Sequence, residues 1–341
     1  MHTAKLLAFH ALMALVLRRD RERHVDEPIR KNILAIDIGG TKIACAIVSL
    51  GDGQPPALCH LQEVPTAAKR GGAAVLKTVL SVAGSVCEEA DEEILGIGVS
   101  SAGVINPRSG EVSFANDLMP GWGGTPLGSE LEEHFKLPVS VMGDVHAHAL
   151  GEARWGAGKD YDSCLVAAIG TGIGGAFVQD GTILLGAHGV AGHIGHVACL
   201  EAAGVPCACG ATGHLEPIAS GPGIAADYAR RTGESIDGRE VAHRSVAGDS
   251  HAIASISRAG HALGSTLGSL CNVVDPAVVI LSGSVAMSGK VWEEALKSGF
   301  VSQAMEPVAA TPLIMGALGG AAPLIGAAEN QLRSAYWELR V

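Results

Sequence analysis

Residues 33–48 read Ile-Leu-Ala-Ile-Asp-Ile-Gly-Gly-Thr-Lys-Ile-Ala-Cys-Ala-Ile-Val, two apolar runs separated by a Gly-Gly-Thr-Lys turn. Apolar runs on either side of a glycine turn are typical of a β-hairpin. Residues 164–178, Cys-Leu-Val-Ala-Ala-Ile-Gly-Thr-Gly-Ile-Gly-Gly-Ala-Phe-Val, repeat this pattern later in the chain. A repeated unit of strand, glycine turn and strand indicates two related halves, each with its own hairpin.

Helix and strand patterns alternate around the two hairpins. Helical patterns cover 73–90, 127–135, 146–155 and 251–271, and strand patterns cover 94–101, 139–142 and 277–281. This alternation predicts an α/β fold. Since no linker rich in proline, serine or charge separates the halves, we expect them to pack closely around a hinge.

The composition limits the class of protein. The chain has 341 residues, enough for two domains, with 46 glycines and a formal net charge of −11. There is no basic stripe, so a protein whose main task is to grip nucleic acid is disfavoured. Most of the eight cysteines are scattered singly, which predicts a reduced, cytoplasmic protein.

The N-terminus carries an apolar run at 6–17, followed by a charged segment at 18–23. The run is shorter than the roughly 20 residues that span a bilayer. It also lacks the charge order and cleavage site of a signal peptide. We expect residues 1–30 to form a helical or frayed extension, with a membrane or targeting role as the alternative.

The glycine turns are candidate phosphate sites, because a residue without Cβ lets backbone N–H groups approach phosphate oxygens. In the first turn Thr41 adds a hydroxyl and Lys42 a positive charge, and Asp37 is placed to hold Mg²⁺ through water. A plain hairpin turn is the alternative for either turn alone, but their repetition favours a nucleotide site. The candidate nucleotide-binding residues of the two turns are Asp37, Gly39, Gly40, Thr41, Lys42, Gly170, Thr171, Gly172, Gly174 and Gly175.

Asp144 stands where a strand pattern ends and a helical pattern begins. A carboxylate there faces the cleft in many α/β enzymes and can accept a proton from a substrate hydroxyl. The alternative is an ordinary helix N-cap. The neighbouring His146 and His148 are expected to be core or helix residues and not metal ligands.

The segment 193–216 has the spacing of a zinc site. The candidate ligands are His196, Cys207, Cys209 and His214. Two thiolates and two imidazoles suit tetrahedral Zn²⁺, and four protein ligands make such a zinc structural, without an open position for water. Cys199 is the alternative to His214 as fourth ligand, and unrelated surface residues are the alternative to a metal site. His193 and Glu216 remain free to reach a ligand.

Three blocks together resemble the ROK family (repressors, uncharacterised frames and sugar kinases) over residues 32–330. They are Asp37-Ile-Gly-Gly-Thr-Lys42, Gly170-Thr-Gly-Ile-Gly-Gly175 and the Gly-His…Cys-x-Cys-Gly-x-x-Gly-x-x-Glu block that ends at Glu216. The resemblance implies an actin-like ATPase (ribonuclease H-like) fold whose two α/β domains close over ATP and a hexose, and a homodimer as the usual assembly.

The resemblance also implies domain limits. We expect an extension at 1–31, an N-terminal domain at 32–143 and a C-terminal domain with the zinc loop at 144–341. The final helix is expected to pack back on the N-terminal domain.

Roles for individual residues follow from the same resemblance. Asp144 matches the aspartate that takes the proton from the sugar 6-hydroxyl. Asn116 resembles a sugar-binding asparagine, although one residue is inserted before Leu118. His196 and Glu216 match residues beside the sugar. Gly283 falls in the loop that lies near the adenosine. The cofactors implied are ATP with Mg²⁺ and a structural Zn²⁺.

Departures from the family pattern bear on the substrate. His193 replaces the glutamate of the common Glu-x-Gly-His motif, and the strings at 191–196 and 218–221 are similar to bacterial N-acetylmannosamine kinases. His214 replaces the third zinc cysteine. Gly143 replaces the usual asparagine before the catalytic aspartate, which removes one hydrogen bond to the sugar.

The expected activity is therefore ATP-dependent phosphorylation of the 6-hydroxyl of an N-acetylhexosamine, with N-acetylmannosamine favoured. A glucokinase or N-acetylglucosamine kinase is the alternative within the class. A sugar-responsive repressor is disfavoured, because only about 30 residues precede Ile33, too few for the DNA-binding module of such proteins. A sugar-binding relative without turnover is the third alternative, raised by Gly143.

Overall fold

The first sheet extends outward from the glycine hairpin. The computed structural model describes residues 30–51 and 53–338, with side chains as far as Ser334. Nearly all of the expected N-terminal extension lies outside this part of the chain. The elements of the first half are β1 (Lys31–Ile38), β2 (Lys42–Gly51), β3 (Gln54–Pro65), α1 (Gly72–Glu89), β4 (Ile94–Ser101), β5 (Val104–Ile105), β6 (Val112–Phe114), α2 (Leu127–Phe135) and β7 (Val139–Gly143).

This sheet has the strand order β3-β2-β1-β4-β7. β1, β2 and β3 form an antiparallel meander, and β4 and β7 join β1 in parallel. The carboxyl ends of β1, β4 and β7 therefore meet at one edge, where ligands of open α/β sheets bind. The small pair β5 and β6 forms a separate antiparallel ribbon.

The second half repeats this arrangement. Its elements are α3 (Asp144–Trp155), β8 (Ser163–Ile169), β9 (Ile173–Gln179), β10 (Thr182–Ile183), α4 (Glu216–Ala219), α5 (Gly221–Thr232), α6 (Gly238–Val246), α7 (Ser250–Val274), β11 (Val278–Ser282), α8 (Lys290–Gln303), β12 (Leu313–Met315) and α9 (Ala322–Glu338). The strand order is β10-β9-β8-β11-β12, again an antiparallel hairpin followed by parallel strands. The α/β fold and the internal repeat predicted from the sequence are both present.

Each sheet is covered on both faces, which explains why its central strands are apolar throughout. In β1, Leu34, Ile36 and Ile38 pack toward α1, whose valines at 75, 79, 82 and 86 form one stripe. The alternate residues Ile33 and Ala35 pack against α9. In the second sheet, one face packs on α7 and the other on α3.

Helices α3 and α9 lie between the two sheets and cross closely. A Cβ on Gly326 of α9 would lie 1.7 Å from the carbonyl oxygen of Ala147 in α3, so the helices approach more closely than a side chain permits. The buried carboxylate of Glu329 accepts hydrogen bonds from Arg154 Nε at 3.1 Å and Trp155 Nε1 at 3.0 Å. The two halves are thus joined through a glycine contact and a buried acid.

Two sequence-based details differ from the structure. The helix expected to start at His146 starts at Asp144, which lies in its first turn with Gly143 as N-cap. No strand was expected over Gln54–Pro65, yet β3 forms there as an edge strand, a position that tolerates Pro55 and Pro56. None of the helices within the described residues combines the length and apolar character needed to cross a bilayer.

Candidate active site

The first glycine turn joins β1 to β2 at the edge where the parallel strands end. Gly39 N donates to Lys42 O at 2.9 Å, and Thr66 Oγ1 donates to Gly39 O at 2.6 Å. Gly40 is exposed, and a Cβ built on it would meet no atom within 4 Å. Hydrogen bonds to Lys42 and Thr66 therefore fix the conformation of the turn, while Gly40 leaves its outer side open to a ligand. Thr66, which sequence reasoning missed, supports it.

The Lys42 side chain lies along the sheet. Its Nζ is 2.6 Å from Glu63 Oε1 on β3, and both side chains are about half exposed. An ion pair this exposed contributes little stability, so it does not prevent Lys42 from turning to a phosphate.

Two carboxylates meet beside the first turn. Asp37 is the penultimate residue of β1 and pairs with Ser100 of β4, whose hydroxyl donates to Asp37 Oδ1 at 2.6 Å. The pKa of Asp37 is raised to about 6, chiefly by burial and also by the negative charge of Asp144, while the Ser100 hydrogen bond and the Lys42 charge oppose the shift. Electrostatic coupling of Asp37 with Asp144 indicates one acidic centre, the donor type that Mg²⁺ prefers.

Asp144 is placed by the junction of β7 and α3. Its Oδ1 accepts a hydrogen bond from Val145 N at 2.8 Å. Burial raises the pKa of this carboxyl, with the Val145 hydrogen bond opposing the shift. Because Asp144 is the first helical residue, it is not the N-cap that was its alternative. A carboxyl with a raised pKa at a cleft suits proton transfer.

The second glycine turn approaches the same cleft from the other half. Gly170 N donates to Gly172 O, and Gly221 N donates to Gly170 O, each at 2.9 Å. Gly283 has φ +92°, and a Cβ on it would lie 2.3 Å from Ile169 O, so only glycine fits there. The structure thus brings the expected adenosine loop against the second turn.

Asp144 and the second turn lie close together, because the residues that follow each of them are in contact. A Cβ on Gly174 would lie 2.6 Å from Val145 Cγ2. Glu216 Oε2 accepts a hydrogen bond from Ile173 N at 2.8 Å, which ties Glu216 to the start of β9. The second glycine turn, Asp144 and Glu216 therefore lie close together.

The four candidate zinc ligands come together. The ligand atoms of His196, Cys207, Cys209 and His214 all lie within 4.8 Å of one another. Cys199 does not join them, because its thiol donates to Glu201 Oε2 at 3.1 Å. Of the two alternatives for a fourth ligand, the geometry favours His214. A set of two thiols and two imidazoles at this spacing fits tetrahedral Zn²⁺.

Two of the remaining candidate sugar residues, His193 and Glu216, lie beside this cluster. The exposed His193 stacks on His196 with ring centroids 6.2 Å apart. Burial lowers the pKa of His196, and the charge of Glu216 opposes that shift, so His196 and Glu216 interact. Asn116 is exposed on the loop after β6, where its Oδ1 accepts from Leu118 N at 3.1 Å.

Gly143 and His146 lie against each other beside Asp144. A Cβ on Gly143 would lie 3.3 Å from His146 Nδ1. The buried imidazole contacts Ala191 O through Nε2 at 2.8 Å, consistent with the expected core or helix role. A narrow recess beside them is lined by Ile105, Val141, Gly143, His146, Leu185 and Gly189.

Comparisons with known proteins identify the family of this chain. The profile of the ROK family matches residues 33–332. The glucokinase of Halalkalibacterium halodurans is 30% identical over 311 residues, 86% of this chain and 92% of that protein. The N-acetylmannosamine kinase of Shigella boydii is 33% identical over 256 residues, 75% of this chain and 84% of that protein.

A solved structure extends the comparison to the fold. The ROK family glucokinase from Streptomyces griseus, in complex with glucose and AMPPNP, has a TM-score of 0.74 and 26% identity, over 89% of this chain and 99% of that one. Its likeness, together with the two sheets of matching strand order, confirms the expected actin-like ATPase fold. The chain belongs to the ROK family.

Proposed function

We propose that this protein, an ATP-dependent sugar kinase, transfers the γ-phosphoryl group of ATP to the 6-hydroxyl of an N-acetylhexosamine, with N-acetylmannosamine preferred. The observation that carries the reaction is the buried Asp144 carboxyl, whose pKa is raised by burial, whose charge acts on Asp37 beside the first turn, and whose neighbour Val145 lies against Gly174 after the second. The preference for N-acetylmannosamine is supported by His193 and the string at 191–196, and by the Shigella relative. Glucose is the alternative, supported equally by the glucokinase relative.

In the proposed reaction the chain mainly positions and stabilises charge. The sugar 6-oxygen forms a bond to the γ-phosphorus, and the bond from that phosphorus to the bridging oxygen breaks, so ADP leaves with the electron pair. Asp144 accepts the proton of the hydroxyl. Backbone N–H groups of the two turns bind the phosphates. Asp37 would hold Mg²⁺ through water, and the metal bound with ATP would neutralise phosphate charge.

The substrate preference is tested by ADP release with Mg-ATP and N-acetylmannosamine, N-acetylglucosamine, glucose or mannose. We expect the highest kcat/KM with N-acetylmannosamine. His193→Glu restores the family's common residue, so it should lower the ratio of N-acetylmannosamine to glucose kcat/KM by about tenfold or more. His188→Glu, an exposed change in the same segment, is the matched control. Faster turnover of glucose by the unmodified protein would exclude the proposed preference.

We also propose that His196, Cys207, Cys209 and His214 hold a structural zinc. Zinc there would fix the loop that presents His193, His196 and Glu216 to the sugar. Metal analysis should find about one zinc per chain, lost with a lower Tm in Cys207→Ser. Cys199→Ser removes a nearby thiol outside the cluster and should keep the metal. Equal metal content in the two variants would contradict the assignment.

Other expectations stay predictions. They are the homodimer, the cytoplasmic location and the domain limits at 31 and 143. Sugar binding without turnover would support the third alternative, a sugar-binding relative.

A further inference from the structure

The backbone does not explain glycine at position 143. Gly143 has φ −64° and ψ 149°, an extended conformation that any residue adopts. The group that lies close to Gly143 is the side chain of His146, in the first turn of α3. The Cβ of any other residue would be 3.3 Å from His146 Nδ1, tighter than an ordinary contact. The imidazole of His146 thus occupies the space beside the Gly143 Cα.

The hydrogen bond of His146 fixes which ring nitrogen carries the proton. Nε2 lies 2.8 Å from Ala191 O, and a carbonyl only accepts, so Nε2 is the donor. Burial lowers the pKa of His146, so the ring is neutral at pH 7. Nδ1 then carries a lone pair. Within the described residues no group donates a hydrogen bond to it.

His146 also connects two parts of the candidate site. It lies two residues after Asp144 on α3, and its partner Ala191 lies two residues before His193. The Nε2 hydrogen bond therefore holds the segment 191–196 against the helix that begins with the candidate base. Nδ1 is left facing Gly143, at the start of that helix.

We propose that His146 determines sugar binding in place of a side chain at 143. Its Nδ1 accepts a hydrogen bond from a hydroxyl of the sugar, while its Nε2 positions the segment 191–196. This inference rests on the proposed sugar kinase function. An amide N–H at 143 would donate a hydrogen bond to the sugar, whereas Nδ1 of His146 accepts one. A sugar hydroxyl can take either role, because it both donates and accepts. Glycine at 143 and histidine at 146 thus exchange one sugar-binding side chain for another, and we call this substitution of roles the exchange.

Two single variants separate the two nitrogens of His146. In His146→Gln the amide nitrogen reaches the position of Nε2, so the Ala191 contact is kept and the acceptor is lost. In His146→Asn an oxygen stands near the position of Nδ1, so the acceptor is kept and the Ala191 contact is lost. We expect His146→Gln to raise the sugar KM about tenfold or more with the ATP KM unchanged. His146→Asn should raise it less.

A double-mutant cycle tests the exchange itself. Gly143→Asn alone should weaken sugar binding about tenfold, because the new side chain meets the imidazole. Gly143→Asn combined with His146→Ala restores an amide and removes the ring, so the double variant should bind sugar more tightly than Gly143→Asn alone, short of the unmodified protein because the Ala191 contact is lost. His148→Gln, on the same helix, is the matched control and should leave the sugar KM unchanged. Tm is recorded for each variant.

The cycle is measured twice, as sugar Kd without nucleotide and as kcat and KM with ATP. Additive losses in the double variant, or an unchanged sugar Kd in His146→Gln, would overturn the exchange while the kinase function stands. Sugar binding without any turnover by the unmodified protein would overturn the proposed function, and the Kd cycle would still decide the exchange. If the unmodified protein binds none of the four sugars, both the proposed function and the exchange are overturned.

Discussion

At the scale of single residues, Asp37 and Asp144 form an acidic pair in which burial raises both pKa values. Asp37 lies half-buried at the end of β1, with Ser100 as hydrogen-bond donor and Asp144 as a repulsive neighbour. A carboxyl in such surroundings is less stable when ionised than one in water. The positive charge of Lys42 opposes this shift in pKa, and a cation bound beside Asp37 would oppose it further.

Asp37→Asn should stabilise the free protein in a pH-dependent manner. Burial raises the pKa of Asp37 from 3.8 to about 6, so between those values the folded protein keeps a proton that the unfolded chain has released. The free energy of unfolding therefore falls as pH rises through this window. Asp37→Asn does not titrate, so its free energy of unfolding does not fall in this way. Its stability relative to the unmodified protein should therefore increase from pH 4.5 to 7.5, by at most about 3 kcal/mol and less where water screens the site.

Denaturant unfolding without Mg²⁺ or nucleotide measures the effect, with the exposed Asp91→Asn as control. Activity should fall in Asp37→Asn and not in the control. An equal or lower stability of Asp37→Asn than of the unmodified protein at pH 7.5 would contradict the account.

At the scale of elements, one glycine in each of the two turns differs from most other glycines of the fold, because neither its conformation nor its surroundings exclude a side chain. Gly40 and Gly170 have no positive φ, and a Cβ on either would meet nothing within 4 Å. Neither packing nor backbone conformation requires glycine there. The requirement is expected to come from the phosphates of ATP.

Gly40→Ala and Gly170→Ala should therefore leave the Tm nearly unchanged while raising the ATP KM about tenfold or more. The sugar Kd measured without nucleotide should stay the same. Gly84→Ala on α1, another open position, should affect neither constant. An unchanged ATP KM in both turn variants would place the phosphates elsewhere.

The elements found from the sequence are those with strong local signals. Both hairpins were predictable because a glycine turn lies between apolar runs, and the zinc cluster because its ligands are close in the chain. The supporting roles of Thr66 and Ser100 were not predictable, since only the folded sheet brings these small polar residues to the first turn and to Asp37. Likewise, the Glu201 carboxylate that holds Cys199 outside the cluster has no signature in the sequence.

At the scale of the whole molecule, the two sheets are connected through α3 and α9. The C-terminal helix packs on the first sheet and crosses α3, which packs on the second. Asp144 is the first residue of α3, so the crossing also positions the candidate base. Chain-distant contacts such as Gly326 against Ala147 could not be found from periodicity, because nothing in a local pattern identifies the partner helix.

Gly326→Ala tests this connection. Its Cβ would lie 1.7 Å from Ala147 O, so the two helices must separate, and we expect a loss of about 2 kcal/mol or more in the free energy of unfolding. Gly320→Ala, where a Cβ meets nothing, should change it by less than about 1 kcal/mol. Equal stability of the two variants would mean that the helices tolerate a wider crossing.

The most direct test of the central claim is sugar-dependent ADP formation by the unmodified protein, Asp144→Asn and Asp91→Asn, with Mg-ATP and N-acetylmannosamine or glucose. If Asp144 accepts the hydroxyl proton, Asp144→Asn should bind sugar with an unchanged Kd and lose about 10²- to 10⁴-fold in kcat, while Asp91→Asn retains full activity. Wild-type turnover in Asp144→Asn, or no sugar-dependent ADP from the unmodified protein, would contradict the claim.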